Sequence, residues 1–308
     1  MVQRIILISL FILSLSCCEN DKPTEGENQN PQVMEGEQDV NTEGSFPISP
    51  DGENQSVGNK FWPDKIPFDL SYRIVSKYPH DATAFTQGLV WVDGLLYEST
   101  GLWEQSSVRI VELETGIPVT MHALPQQFNG QEFDRLFGEG LAIVGDLVYQ
   151  LTWKNGVCFV YSRNNLELQN IFNYTGEGWG LTSDGENLIM SDGTDNIYFR
   201  SPGTFKVVRT IQVKQRGTPI SNLNELEYIE GYICANVWYK NFIAVINPTT
   251  GEVVGRIELD GLKEQLVNAE QADVLNGIAY NPETKHLLIT GKLWDTLFEI
   301  ELAPKVTK

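Results

Sequence analysis

From Phe68 onward the chain is a succession of short apolar runs, each broken by Gly, Asn, Asp or Pro. Apolar and polar positions alternate within the runs, and no stretch sustains the spacing of an amphipathic helix, so the pattern predicts β-strands throughout. One unit illustrates it. Residues 141–144 predict a strand, Gly145-Asp146 a tight turn and residues 147–153 the returning strand; residues 157–161 and 166–172 predict two more. Asp93-Gly94, Asp184-Gly185 and Glu230-Gly231 predict the same two-residue hairpin, where glycine accepts a positive φ. A fifth unit turns through the longer segment from Asn281 to Lys285.

These units repeat. Phe85-Thr86-Gln87-Gly88-Leu89, Phe137-Gly138-Glu139-Gly140-Leu141, Gly178-Trp179-Gly180-Leu181, Leu223-Asn224-Glu225-Leu226 and Leu275-Asn276-Gly277-Ile278 share one local pattern, at intervals of 52, 40, 45 and 52 residues. Repeats of this length indicate propeller blades or solenoid units. The fifth unit supplies only three strands, the last over residues 297–302, and one unmatched strand lies at the other end, over residues 70–75. Pairing those two would cover both open edges. The expectation is an all-β fold: a five-bladed β-propeller of four-stranded blades, its ring closed by the N-terminal strand in the last blade.

The repeated position changes chemistry from unit to unit: Gln87, Glu139, Trp179, Asn224, Asn276. A purely structural repeat would keep one residue type. Strand alternation puts Phe85, Gln87 and Leu89 on one face, and likewise Phe137, Glu139 and Leu141, with Gly88 and Gly140 opposite, where a neighbouring strand can approach closely. Fourteen residues after each key position stand Gly101, Trp153, Gly193 and Trp238; the longer fifth turn puts Lys292 at the corresponding place. Both rings would face one end of a central channel. The candidate site is therefore Glu139 and Lys292, the amides of Gln87, Asn224 and Asn276, and a wall of Phe85, Phe137, Trp153, Trp179 and Trp238. Each tryptophan alone reads as blade packing, and each amide as a turn anchor. Glu139 does not, because a carboxylate between Gly138 and Gly140 beside two apolar residues serves no evident stabilising purpose.

The formal charge of -19 excludes a nucleic-acid partner, which needs phosphate-neutralising cations. Much of that charge lies in residues 19–60, where ten acids face only Lys22 and Lys60 in a sequence rich in Glu, Asn, Gln, Gly and Ser. Such a segment reads as a solvated tether. Ahead of it, Arg4 precedes an apolar run from Ile5 to Leu15 and then Ser16-Cys17-Cys18, too short to span a bilayer and similar to a bacterial lipoprotein signal. Cys18, with Leu15 three positions before it, fits lipidation better than Cys17, which has Ser14 there. The expected organisation is a signal over 1–17, an acidic tether over 18–66 and the catalytic domain over 67–304, a monomer anchored by lipid to the bacterial cell envelope. Cys158 and Cys234 sit in separate apolar runs and read as two buried free thiols.

Taken in order, Tyr78-Pro79-His80-Asp81, Ala84-Phe85-Thr86-Gln87-Gly88, Phe137-Gly138-Glu139-Gly140, Thr152-Trp153, Gly178-Trp179-Gly180-Leu181, Asn224-Glu225-Leu226-Glu227-Tyr228, Ala235-Asn236-Val237-Trp238 and Thr290-Gly291-Lys292-Leu293-Trp294 resemble the plant- and bacterial-type glutaminyl-peptide cyclotransferases, five-bladed propellers, over residues 70 to 302. The resemblance implies conversion of the N-terminal glutamine of peptides or proteins to pyroglutamate with release of ammonia. It implies functional roles for Phe85, Gln87, Phe137, Glu139, Trp153, Trp179, Asn224, Trp238 and Lys292, with Glu139 as the proton shuttle and Lys292 as oxyanion stabiliser or backbone anchor. No cofactor is expected; family analogy also allows a structural calcium in the channel. Two features depart from the family. Residues 125–136 are longer than usual and are expected to alter the channel mouth, and Trp103 replaces a smaller aromatic. His80 reads as a turn-bonding residue. The competing readings are a non-catalytic propeller that binds peptide N-termini, disfavoured by the isolated Glu139 with Lys292, and a metal-dependent propeller hydrolase such as a lactonase, which would need more acidic ligands around one cation.

Overall fold

The computed structural model describes residues 60–305, and these are all-β apart from one 3-10 turn at Lys263–Gln265. The signal, the lipidation candidates Cys17 and Cys18 and most of the tether lie outside the described residues. Three four-stranded antiparallel sheets follow one another: Thr86–Val92 to Ile117–Ala123, Gly138–Val144 to Leu168–Asn173, and Leu181–Ser183 to Val207–Gln212, each in simple sequence order. The seven strands from Leu223 onward and the N-terminal strand Phe68–Pro79 form one eight-stranded sheet. Four of these strands follow from Leu223–Ile229 and three from Leu275–Asn281, and Phe68–Pro79 lies between the two groups as the fourth strand of the second. That strand runs antiparallel to Thr296–Pro304 over most of its length, so the expected N-terminal pairing is present and longer than residues 70–75. Its first residues also pair in parallel with the first group, Phe68 opposite Gly255.

Among the described residues the apolar core is divided into five clusters, and each lies between two successive sheet units. One of them joins the first unit to the last through Leu89, Leu96, Ala279 and Leu288. The first strands of the units also neighbour one another, the first unit's lying beside the last unit's. Their approach is close enough to require glycine: a Cβ on Gly88 would lie 2.4 Å from the Leu141 nitrogen, and one on Gly140 at the same distance from the Leu181 nitrogen.

Turn chemistry is mostly as the sequence predicts. Asp93 and Gly94 both have positive φ, as do Glu230 and Gly231. Asp184-Gly185 differs. Ser183 pairs with Leu188, so the loop takes four residues, and the Asp184 carboxylate caps the Glu186 and Asn187 N–H groups. The expected start of the folded body at residue 67 also shifts. Trp62 is buried, packs with Phe61 and Phe68, and donates its indole N–H to the Ile229 carbonyl at 3.0 Å. Its area of apolar surface outweighs the polar character of the segment before it. Cys158 and Cys234 are both buried and free.

Candidate active site

The key position of each unit falls where the strand ladder slips. Thr86 pairs with Thr100 and Gly88 with Ser99, leaving Gln87 as the extra residue. Glu139 and Gly140 together oppose Leu151, Asn224 and Glu225 oppose Asn236, and Asn276 and Gly277 oppose Thr290. Trp179 and Gly180 both bond Ser191 in the same way. A β-bulge re-aims the side chain it carries, and here four of the five reach a common cavity. The slip also breaks the expected alternation. Leu89 and Leu141 leave the cavity face and sit fully buried between sheets.

The cavity encloses about 180 Å³. Gln87, Glu139, Asn224 and Lys292 supply its polar groups, and Phe85, Phe137, Trp153, Trp179 and Trp238 its walls. Nine of the ten candidate residues line it. Asn276 does not; it lies one layer behind. Its Nδ2 donates to the Thr86 carbonyl at 2.9 Å and to Gln87 Oε1 at 3.2 Å, which turns Gln87 Nε2 toward Glu139 Oε1 at 3.1 Å. The amide pair thus orients the carboxylate. The two glycines of the second ring leave room for aromatic walls: a Cβ on Gly101 would strike Phe137 at 2.2 Å, and one on Gly193 would strike Trp179 at 2.6 Å.

Glu139 is only 4% exposed. Burial drives its pKa well above the usual carboxylate range; Lys292 opposes that shift and Glu177 adds to it. Burial lowers the pKa of Lys292, while Glu139 and Asp273 pull it back up. The Lys292 ammonium lies 4.7 Å from the Phe85 ring centroid, a cation–π contact. Asn224 Oδ1 is buried with no hydrogen-bond partner among the described residues. A buried orphan acceptor is destabilising by about 1–3 kcal/mol unless a ligand satisfies it, so Asn224 offers a place for a substrate N–H.

Residues 125–136 form a small hairpin, Gln127–Phe128 against Gln131–Glu132, and bring the Arg135 guanidinium to 5.4 Å from the Trp103 ring. Trp103 in turn packs on Phe137 and Trp153, so the longer segment reaches the aromatic wall through that indole.

A model of the glutamine cyclotransferase family matches residues 53–302. The chain belongs to the glutamine cyclotransferase family. It is 40% identical over 243 residues, 76% of this chain and 73% of the relative, to a glutaminyl-peptide cyclotransferase of Arabidopsis thaliana. It superposes with a TM-score of 0.69 on the crystal structure of Myxococcus xanthus glutaminyl cyclase, 40% identical, covering 78% of this chain and all of that one.

Within this member of the family, three carboxylates escaped the sequence reading. Glu225 is fully buried and accepts the Leu89 and Ile278 N–H groups, joining three sheet units. Glu227 accepts the Tyr280 N–H and the Thr182 hydroxyl in the same manner. Both sat in the quoted Asn224–Tyr228 motif, but only tertiary contacts reveal their partners. Because their oxygens already face N–H and O–H donors, this donor set does not fit the channel calcium that family analogy allows. Among the described residues no group of three His, Cys, Asp or Glu could hold a metal. The third carboxylate, Glu177, touches two wall indoles. It occupies the place held by Phe85 and Phe137 in the first two repeats, a substitution that was readable in the alignment of repeats.

His80 does bond a turn, the one between the strands His286–Gly291 and Thr296–Pro304, and it also meets a buried carboxylate. It is buried, with Nδ1 2.7 Å from the Trp294 carbonyl and Nε2 3.1 Å from Glu98 Oε1. Glu98 also accepts the Thr86 hydroxyl, and Arg109 lies 3.7 Å from its second oxygen while pairing with Asp81 at 2.8 Å. This network joins the two residues flanking the site, Thr86 and Trp294.

Proposed function

We propose that this chain is a glutaminyl-peptide cyclotransferase that converts the N-terminal glutamine of peptides or proteins to pyroglutamate and releases ammonia, with Glu139 as the proton shuttle. The observation that carries this reading is the buried Glu139 carboxylate, oriented by Gln87 within an aromatic cavity of about 180 Å³. In the reaction the substrate's neutral α-amine attacks its own side-chain amide carbon. A C–N bond forms, the amine gives up a proton, and the bond to the leaving nitrogen breaks as that nitrogen gains a proton. One carboxylate between them serves both transfers, and a raised pKa suits it to do so near neutral pH. The reaction is intramolecular, so holding the glutamine in a cyclising rotamer supplies much of the acceleration. The indoles and Phe rings confine the apolar stem, Asn224 Oδ1 accepts an N–H of the amine or amide, and Lys292 stabilises the charge that develops on the amide oxygen. None of these steps calls on a metal.

The scaffold in this reading is a five-bladed β-propeller closed by the N-terminal strand. The cyclic neighbouring of the first strands and the apolar cluster between first and last units support it. The whole protein is a monomer anchored at the cell envelope through Cys18; Cys18→Ala would release it from the membrane fraction.

The test is incubation of the purified protein with a Gln-initiated peptide, following loss of ammonia by mass spectrometry with and without chelator. Turnover in both arms is expected. Binding without turnover would establish a peptide-capturing protein instead, and loss of turnover with chelator would overturn the metal-free mechanism.

A further inference from the structure

The cavity walls are built from indoles that strands alone do not orient. Trp153 follows the strand Leu147–Thr152, and Trp179 precedes the strand Leu181–Ser183 of the next sheet. One side chain spans that seam. Glu177 Oε2 accepts the Trp153 Nε1–H at 2.8 Å and the Trp179 Nε1–H at 3.0 Å. Its other oxygen lies 3.7 Å from Lys154 Nζ, and that ammonium rests 4.0 Å from the Trp153 ring centroid. The seam therefore carries a cluster of one carboxylate, one ammonium and two indoles. Trp179 lies over Gly193, which offers no side chain on that side, and meets Trp238 edge-on at 5.4 Å between ring centroids, while the Glu177 bond holds its Nε1 edge.

We propose that Glu177 is a positioning residue for the cyclisation reaction, clamping the Trp153 and Trp179 indoles into one wall against the glutaminyl stem of the substrate. The inference rests on the reading of the cavity as the glutaminyl site. Glu177 does not touch the reacting atoms; it acts through the two rings, and its charge acts on Glu139. The groups that face Glu139 are Gln87, which donates to it, Lys292, which favours its ionised form, and Glu177, which disfavours it; the buried Tyr174 is close enough to feel its charge. Removing the Glu177 charge makes Glu139 a stronger acid, so the limb of the pH–rate profile set by ionisation of Glu139 moves to lower pH.

Two variants of the purified protein separate the clamp from the charge. Glu177→Ala removes both. Glu177→Gln removes the charge but keeps an oxygen that can accept an indole N–H. In Glu177→Ala the KM for a Gln-initiated peptide is expected to rise on the order of tenfold, within the range that misplaced substrate-positioning groups produce, while kcat falls less. Glu177→Gln should recover most of the KM. The acid limb should move to lower pH in both. Nitrogen-15 NMR should show the two indole N–H resonances shifting and exchanging faster with water in Glu177→Ala. An alanine variant that melts like the wild type, with KM, acid limb and indole resonances unchanged, would overturn the proposal. If the wild type itself does not turn over, the functional reading fails, and the indole resonances still decide the clamp: unchanged in Glu177→Ala, they sink it.

Discussion

At the scale of single residues, the site depends on side chains whose orientation comes from a neighbour. Asn276 orients Gln87, and Gln87 orients Glu139, in one chain of amide contacts. Glu139→Gln keeps the shape and removes the proton acceptor. Turnover of a Gln-initiated peptide should vanish, and thermal unfolding should be nearly unchanged; a collapsed fold would instead make Glu139 structural. Gly193 makes the complementary case. Its φ of +80° disfavours any side chain, and a Cβ would press on Trp179. Gly193→Ala should lower kcat/KM by about tenfold or more through displacement of that wall, with peptide cyclisation as the assay. A wild-type rate would mean that the Trp179 wall tolerates displacement.

At the scale of elements, the bulges do what alternation alone could not. An unbroken strand would carry Leu89 and Leu141 on the same face as Gln87 and Glu139. The extra residue lets the polar side chain enter the cavity while the leucines fill the layers between sheets. The connection from Phe68–Pro79 into the first unit is secured by the His80–Glu98 pair. Burial pulls the His80 pKa down, but the Glu98 carboxylate, together with the Trp294 carbonyl and Asp81, outweighs it and holds it above the ordinary value. A histidine with a raised folded-state pKa contributes stability that is complete below its unfolded pKa, about 6.5, and is lost as pH rises through the folded value. Glu98→Gln should therefore destabilise more at pH 6 than at pH 9, measured by chemical denaturation. Equal losses at both values would show that His80 is uncharged in the folded protein.

At the scale of the whole molecule, Glu227 links three sheet units through Thr182, its own strand and Tyr280. Burial raises its pKa to about 8, against the lowering effect of the Tyr280 N–H and the Thr182 hydroxyl. The folded state then binds this proton more tightly than the unfolded chain. Stability from this group is present at low pH and is lost as pH rises from about 4.3, the unfolded value, through about 8. Glu227→Gln should gain melting temperature relative to the wild type as pH increases from 6 to 9. A gap that stays constant would place Glu227 as a fully ionised staple at all these values.

Much of this architecture was legible because β-structure and its turns are local in sequence. Alternation marked the strands, glycines with positive φ marked the hairpins, and reading across the repeats picked out all nine residues that line the cavity. What sequence left open depended on partners distant along the chain. Asn276 belonged to the repeated ring by position, yet its amide is used behind Gln87. Glu177, Glu225 and Glu227 looked like ordinary acids until their donors, in other sheets, came into view. Trp62 looked like part of a solvated segment until its indole met the Ile229 carbonyl, 167 residues away. The sequence by itself determined the strand pattern, the repeat and the residue types that converge. Only the tertiary structure decided which side chains face the cavity and which hold others in place, because a hydrogen bond depends on distance and direction in space, and bulges reset both.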